Sequence, residues 1–125
     1  MQQLKKILVV DDVGVNRLIP GMILRPFGYE VHEVASGEAA IDWLKQHTAH
    51  LVLLDLNMPG VTGQQVLASQ SPMPVAARPL FVAYTAIDSD AQAQALLSAG
   101  FDHVLKKPAT TVVLVDLIQD LLRGA

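Results

Sequence analysis

The apolar run Ile7-Leu8-Val9-Val10 ends in Asp11-Asp12, and the run Leu51-Val52-Leu53-Leu54 ends in Asp55. A third run, His103-Val104-Leu105, ends in Lys106-Lys107-Pro108. Continuous apolar runs of this length, without polar alternation, suit strands of a parallel sheet covered on both faces. Each such strand delivers charge at its carboxyl end. Three carboxylates gathered at one edge of a sheet repel one another, so they need a cation or a protonation change to coexist. The pattern constrains the fold and the chemistry together.

Strands are predicted at 6–10, 30–33, 50–54, 80–84 and 103–105. The second, with Glu30, His32 and Glu33, is the most polar and belongs at an edge. Helical patterns fill the intervals. One covers 14–27 and stops at Gly28; the next covers 37–46 with Ser36 as N-cap. Thr62 with Gln65, and Ser89 with Gln92, fit capping boxes that open two further helices, the second ending at Gly100. The last helix covers 111–122, and the one loop-rich stretch, 69–79, carries three prolines. Pro20 falls inside the first helix, where it removes a hydrogen bond and is expected to kink or shorten it.

Five strand–helix units in succession imply an α/β fold: a single doubly wound domain over 1–125, with helices on both faces of an open, parallel, five-stranded sheet. Ligands of such sheets bind beyond the carboxyl ends of the strands, where strand order reverses. Asp11, Asp12, Asp55, Thr85 and Lys107 all fall at or just past strand ends, which predicts one shared pocket.

Bulk properties remove several function classes. At 125 residues with 51% hydrophobic content the chain is one globular domain rather than a disordered tail. Net charge is −3 and the basic residues are dispersed, so no direct nucleic-acid binding is expected. There are no cysteines, hence no disulfide, thiol nucleophile or thiolate metal site. Lys5 and Lys6 precede an apolar run far too short for a signal peptide or a membrane span, so a cytoplasmic location is expected. The four histidines are scattered and lack metal-ligand spacing, and Trp43 reads as a packing residue.

Carboxylates at close range make an oxygen-rich site for a hard divalent cation such as Mg²⁺. A carboxylate also attacks phosphorus, forming an aspartyl phosphate, and phosphoryl transfer depends mainly on positioning and charge neutralisation. Asp55 with Asp11, Asp12 and Lys107 has the parts for that chemistry, and the Thr85 hydroxyl can donate to a phosphoryl oxygen. Strand alternation lets only one of Lys106 and Lys107 face the site.

These residues resemble the receiver domain of two-component response regulators, over essentially the whole chain. The matching pieces are Val9-Val10-Asp11-Asp12 with Asn16-Arg17, Leu53-Leu54-Asp55-Leu56-Asn57-Met58-Pro59-Gly60 with Gly63, Tyr84-Thr85-Ala86, Ala99-Gly100-Phe101-Asp102 and Lys107-Pro108. The spacings match as well, with 43 residues from Asp12 to Asp55, 30 from Asp55 to Thr85 and 22 from Thr85 to Lys107. The resemblance implies a flavodoxin-like sheet of strand order 2-1-3-4-5. It implies Asp55 as phosphoacceptor and a Mg²⁺ site made by Asp11, Asp12, Asp55 and the backbone carbonyl of Asn57. Lys107 would pair with the phosphoryl group, ahead of Pro108 in an often cis peptide bond. Thr85 would move toward the phosphoryl group and signal to the face of the fourth helix, fifth strand and fifth helix. Asn57 and Ile87 occupy the positions that tune autodephosphorylation in the family. The implied partner is a histidine kinase or a histidine phosphotransfer domain, with a homodimer through that face as a further option.

The chain departs from the family at Val104, where Tyr or Phe usually reports the Thr movement; a valine has no ring to swing. Lys106 stands where an apolar residue is common, and Thr62 where Asp is frequent. An aspartyl-phosphate hydrolase is a rival reading, but it needs a second carboxylate two residues after the nucleophile, and Asn57 stands there. A degenerate receiver used only for docking is a second rival, kept open by Val104 and Pro20. A flavin site fits poorly, because the loop after the first strand is acidic. The last helix carries more apolar residues than one buried face requires, leaving core or partner surface as alternatives for the excess.

Overall fold

The computed structural model describes residues 4–74, 77–87 and 89–123. Positions 75 and 76 of the stretch 69–79 expected to be loop-rich lie outside the described residues. Strands β1 (Lys6–Val10), β2 (Glu30–Val34), β3 (Leu51–Leu54), β4 (Leu80–Thr85) and β5 (His103–Lys106) alternate with helices α1 (Gly14–Leu24), α2 (Gly37–Gln46), α3 (Gly63–Ser69), α4 (Asp90–Ala99) and α5 (Thr111–Leu122). All pairings are parallel and the strand order is β2-β1-β3-β4-β5, so the polar second strand lies at an edge.

Alternation along the strands divides the interior into two layers. Ile7, Val9, Leu51, Leu53 and Val82 face α1 and α5, where they meet Leu24, Leu114 and Ile118. Leu8, Val10, Val52, Leu54 and Ala83 face the other way and meet Ala40 of α2 and Val66 of α3, with Leu96 of α4 packed alongside. β1 and β3, the central strands, have almost no exposed apolar surface. Each such aliphatic side chain contributes roughly 1.5–3 kcal/mol of burial, which fixes the register of the two strands that carry the acids.

The caps follow the sequence signals. Ser36, Thr62, Ser89 and Thr110 each accept a backbone N–H of the first helical turn, and Thr62 and Gln65 form a reciprocal capping box. The helix expected at 14–27 ends instead at Leu24 and tightens into a 3-10 turn over Arg25–Phe27. Pro26, which has no N–H to continue the α ladder, accounts for the change. α1 runs through the buried Pro20, so this proline does not end the helix. Gly28 and Gly60 have φ of 93° and 78°, left-handed backbone that a side chain would strain. α4 buries none of its residues fully and is the least anchored helix. Among the described residues, no helix is long and apolar enough to cross a membrane.

His50 closes the amino-terminal side of the sheet. Its Nδ1 accepts the Lys6 N–H at 2.9 Å, and its own N–H donates to the Lys6 carbonyl at 2.8 Å. Burial, then the nearby Lys5 and Lys6, hold the His50 pKa below the ordinary value. The native state thus binds fewer protons here than the unfolded chain does. The stabilisation from neutral His50 is present above the unfolded-state pKa of about 6.5 and is lost as pH falls below it, toward the lower native pKa. Thermal unfolding of the His50→Asn variant, which keeps an acceptor near Nδ1 but cannot titrate, is expected to fall less than that of the parent between pH 8 and pH 5.5. Equal slopes would remove His50 from the account.

Candidate functional site

The register of the central strands assembles the site. The Asp55 N–H donates to the Val10 carbonyl at 2.9 Å, which sets the end of β3 beside the end of β1. Oxygen atoms of Asp11, Asp12 and Asp55 consequently all lie within 4.8 Å of one another. Asp11 and Asp55 are only 2% and 6% exposed, and Asp12 faces solvent. Two short loops hold the buried acids: the Val13 N–H donates to Asp11 Oδ1 at 3.0 Å, and the Asn57 N–H donates to Asp55 Oδ1 at 3.1 Å. Arg17, one turn into α1, donates to the Asp11 carbonyl at 3.0 Å.

Lys107 reaches the acids from the far side. Its Nζ lies 2.6 Å from Asp11 Oδ2 and 3.8 Å from Asp55 Oδ2. The neighbouring Lys106, the last residue of β5, is exposed. The peptide bond between Lys107 and Pro108 is cis. Thr85, at the end of β4, is buried, and its hydroxyl accepts a hydrogen bond from Asn57 Nδ2 at 3.2 Å. Its carbonyl accepts the Lys107 N–H at 3.0 Å. Asp11, Asp12, Asp55, Asn57, Thr85 and Lys107 therefore form one connected group at the carboxyl edge of the sheet.

Burial raises the Asp55 pKa above the ordinary carboxylate value, and the charges of Asp11 and Asp12 push in the same direction. The Asn57 N–H and the Lys107 ammonium oppose this and do not fully offset it. A carboxylate in that setting is more basic than a solvated one, and a positive charge bound beside it is favoured. One ammonium stands against three carboxylates, and an all-oxygen donor set with one solvent-facing acid suits a hard cation that keeps several waters.

Further residues surround this group. Tyr84 faces away from Thr85 across β4, places its ring 5.3 Å from Lys107 Nζ and accepts the Ala109 N–H at 3.2 Å. Val13, which precedes α1, and Val15, Leu18, Ile19 and Met22 on it are turned to solvent, each between 48% and 62% exposed. The apolar excess of α5 divides: Leu114, Val115, Ile118 and Leu122 are buried, and Val112 and Val113 project outward. An open cleft of about 380 Å³ runs from Asn57 and Thr85 past Ile87 to Gln92, Leu96 and Ala99 of α4. Val104 packs with the layer that includes Leu96 and Phe101. Asp102 is structural: its carboxylate accepts the Phe81 N–H at 2.8 Å and ties the start of β5 to β4.

The chain is 32% identical over 122 residues to the sensor protein GacS of Pseudomonas syringae pv. syringae, covering 90% of this chain and 13% of that protein. It is 32% identical over 114 residues to the aerobic respiration control sensor protein ArcB of Escherichia coli (strain K12), covering 90% of this chain and 14% of the relative. It therefore spans only about one seventh of the length of these proteins. Among solved structures, a response regulator receiver domain protein (CheY-like) from Methanospirillum hungatei JF-1 superposes with a TM-score of 0.86 at 26% identity, covering 98% of this chain and 96% of that one. The family profile described as response regulator receiver domain matches residues 7–119. With five parallel strands in the order 2-1-3-4-5 and an acidic pocket at their carboxyl edge, the chain belongs to the response regulator receiver domain family.

Proposed function

We propose that residues 1–125 work as one phosphoacceptor unit in the cytoplasm, in which Asp55 takes a phosphoryl group from a phosphohistidine of a histidine kinase or histidine phosphotransfer domain. The observation that carries this is the convergence of Lys107 Nζ on Asp11 and Asp55 at the point where three carboxylates meet. An Asp55 Oδ atom attacks phosphorus; the bond from phosphorus to the donor imidazole nitrogen breaks, and the imidazole leaves with that electron pair. Lys107 then exchanges its contact with Asp11 for one to the phosphoryl oxygens. Asp11, Asp12, Asp55 and the Asn57 carbonyl would hold Mg²⁺, which when bound supplies charge neutralisation at the transferring phosphoryl group. Asn57 in the position of a general acid supports a signalling unit rather than a turnover enzyme.

The readout follows from Thr85. Its hydroxyl is held by the Asn57 amide, and it lines a cleft with room for the end of β4 to shift toward a phosphorylated Asp55. α4, with no fully buried residue, is the element most easily repositioned by that shift. Partner or dimer binding through α4, β5 and α5 would change with it, and coupling of about 1–3 kcal/mol suffices. Val104 leaves this movement without an aromatic reporter on β5.

The exposed apolar side of α1 borders the site and offers a protein donor a docking surface that a small molecule does not need. Replacing Leu18 with Glu is expected to lower the rate of transfer from a phosphohistidine protein, relative to the rate with acetyl phosphate, by at least about tenfold. An unchanged ratio would remove α1 from the docking surface. The reading as a whole is tested by incubation with Mg²⁺ and beryllofluoride, followed by NMR of the residues around Asp55. Spectra that do not respond would refute it.

A further inference from the structure

Tyr84 and Thr85 are neighbours on β4, yet both act on the segment that carries Lys107. The Thr85 carbonyl accepts the Lys107 N–H at 3.0 Å, and the Tyr84 hydroxyl accepts the Ala109 N–H at 3.2 Å. Pro108 between them has no N–H to offer, so the end of β4 grips the backbone at the donor on each side of it. The Tyr84 ring also lies 5.3 Å from the Lys107 ammonium, within the range at which a cation is attracted to an aromatic face. The side chain packs against the α1 and α5 layer, and Tyr84, Lys107, Pro108 and Ala109, with Asn16, Ile19 and Pro20, line a pocket of about 200 Å³. Lys107 is thus bounded by carboxylates on one side and by an aromatic ring on another.

We infer that Tyr84 is a positioning residue for Lys107: it holds the ammonium and the segment after it to the end of β4, so that a displacement of Thr85 carries the lysine with it. Lys107 has to leave Asp11 for the phosphoryl oxygens, and a ring that attracts the ammonium in both positions keeps it in the site during the exchange. In this chain, where β5 has Val104, the aromatic side chain that moves with Thr85 is Tyr84, on β4 itself and on the α1 side of the sheet. This inference rests on the reading of Asp55 as phosphoacceptor.

The test is a double-mutant cycle on beryllofluoride affinity, read by fluorine NMR at saturating Mg²⁺. Tyr84→Leu is expected to raise the half-saturating concentration about three- to tenfold, from loss of the ring contact and the hydrogen bond. Tyr84→Phe keeps the ring and is expected to stay within about twofold of the parent while reducing the beryllofluoride-induced shift of the Ala109 amide. In a Lys107→Met background Tyr84→Leu is expected to change the affinity by less than about 1.5-fold, because the group it positions is gone. The same fold-change in both backgrounds would overturn the inference and leave Tyr84 a packing residue. Should Tyr84→Leu not fold, a Tyr84→Phe variant whose Ala109 amide responds as in the parent would overturn it as well. Failure of the parent to bind beryllofluoride would instead count against the phosphoacceptor reading, which separates the two.

Discussion

Asp55→Asn is expected to lose phosphoryl labelling by at least about a hundredfold and to unfold at a higher temperature than the parent in Mg²⁺-free buffer. The first effect follows from removing the nucleophile. The second follows from the site's electrostatics. Burial and the charges of Asp11 and Asp12 hold the Asp55 pKa above its ordinary value. Between the ordinary carboxylate pKa and that raised one, the native state binds more protons than the unfolded chain. Stability is therefore lost as pH rises through that window. Asparagine carries no charge at any pH, and its side-chain oxygen can still accept the Asn57 N–H. The gain is on the order of 1 kcal/mol, the size of an ordinary single-residue effect, or about 3–5 °C for a domain of this length. The gain is expected to shrink as pH falls toward 4, where the parent carboxyl is increasingly protonated. A variant less stable than the parent at pH 7 would contradict the assignment of like-charge strain to this cluster.

Lys107→Ala is expected to produce the opposite change in stability and a large loss of reactivity. The lysine is the ammonium that contacts both buried acids, at 2.6 Å from Asp11 and 3.8 Å from Asp55. Removing it leaves Asp11 almost wholly buried and without its ion-pair partner, at a cost of about 2–3 kcal/mol in the absence of divalent cation. Added Mg²⁺ is expected to recover part of that loss. It is also expected to bind the variant more tightly than the parent, since the competing positive charge is gone. Phosphoryl transfer from acetyl phosphate is expected to slow by about 10²–10³, the usual effect of removing one charge-stabilising group from a reacting centre. Calorimetric Mg²⁺ titration and a labelling time course check both halves. Parent-like labelling would take Lys107 out of the chemistry.

What the sequence made legible was what hydrophobic pattern and strand alternation control. Continuous apolar runs placed the central strands, and once those were placed the acids after Val10 and Leu54 had only one edge of the sheet to occupy. The end of α1 is not legible in the pattern, because helical apolar spacing continues through Phe27 although Pro26 breaks the backbone ladder. The outward side of α1 was hidden for a related reason. With more than half the chain apolar, periodicity alone does not separate Leu18 and Met22, which face solvent, from Leu24, which is buried. The contacts of Tyr84 with Lys107 and Ala109, and of Asn57 with Thr85, join residues 23–28 positions apart. They depend on how loops meet above the sheet, and no local pattern encodes that.

The central claim is that Asp55, and no other acid, receives the phosphoryl group. Intact protein incubated with acetyl phosphate and Mg²⁺, then reduced with borohydride to convert an aspartyl phosphate into homoserine and mapped by peptide mass spectrometry, tests it directly. Homoserine at position 55 alone, dependent on Mg²⁺, is the expected result. Homoserine at 11 or 12, or none anywhere in the chain, would contradict it.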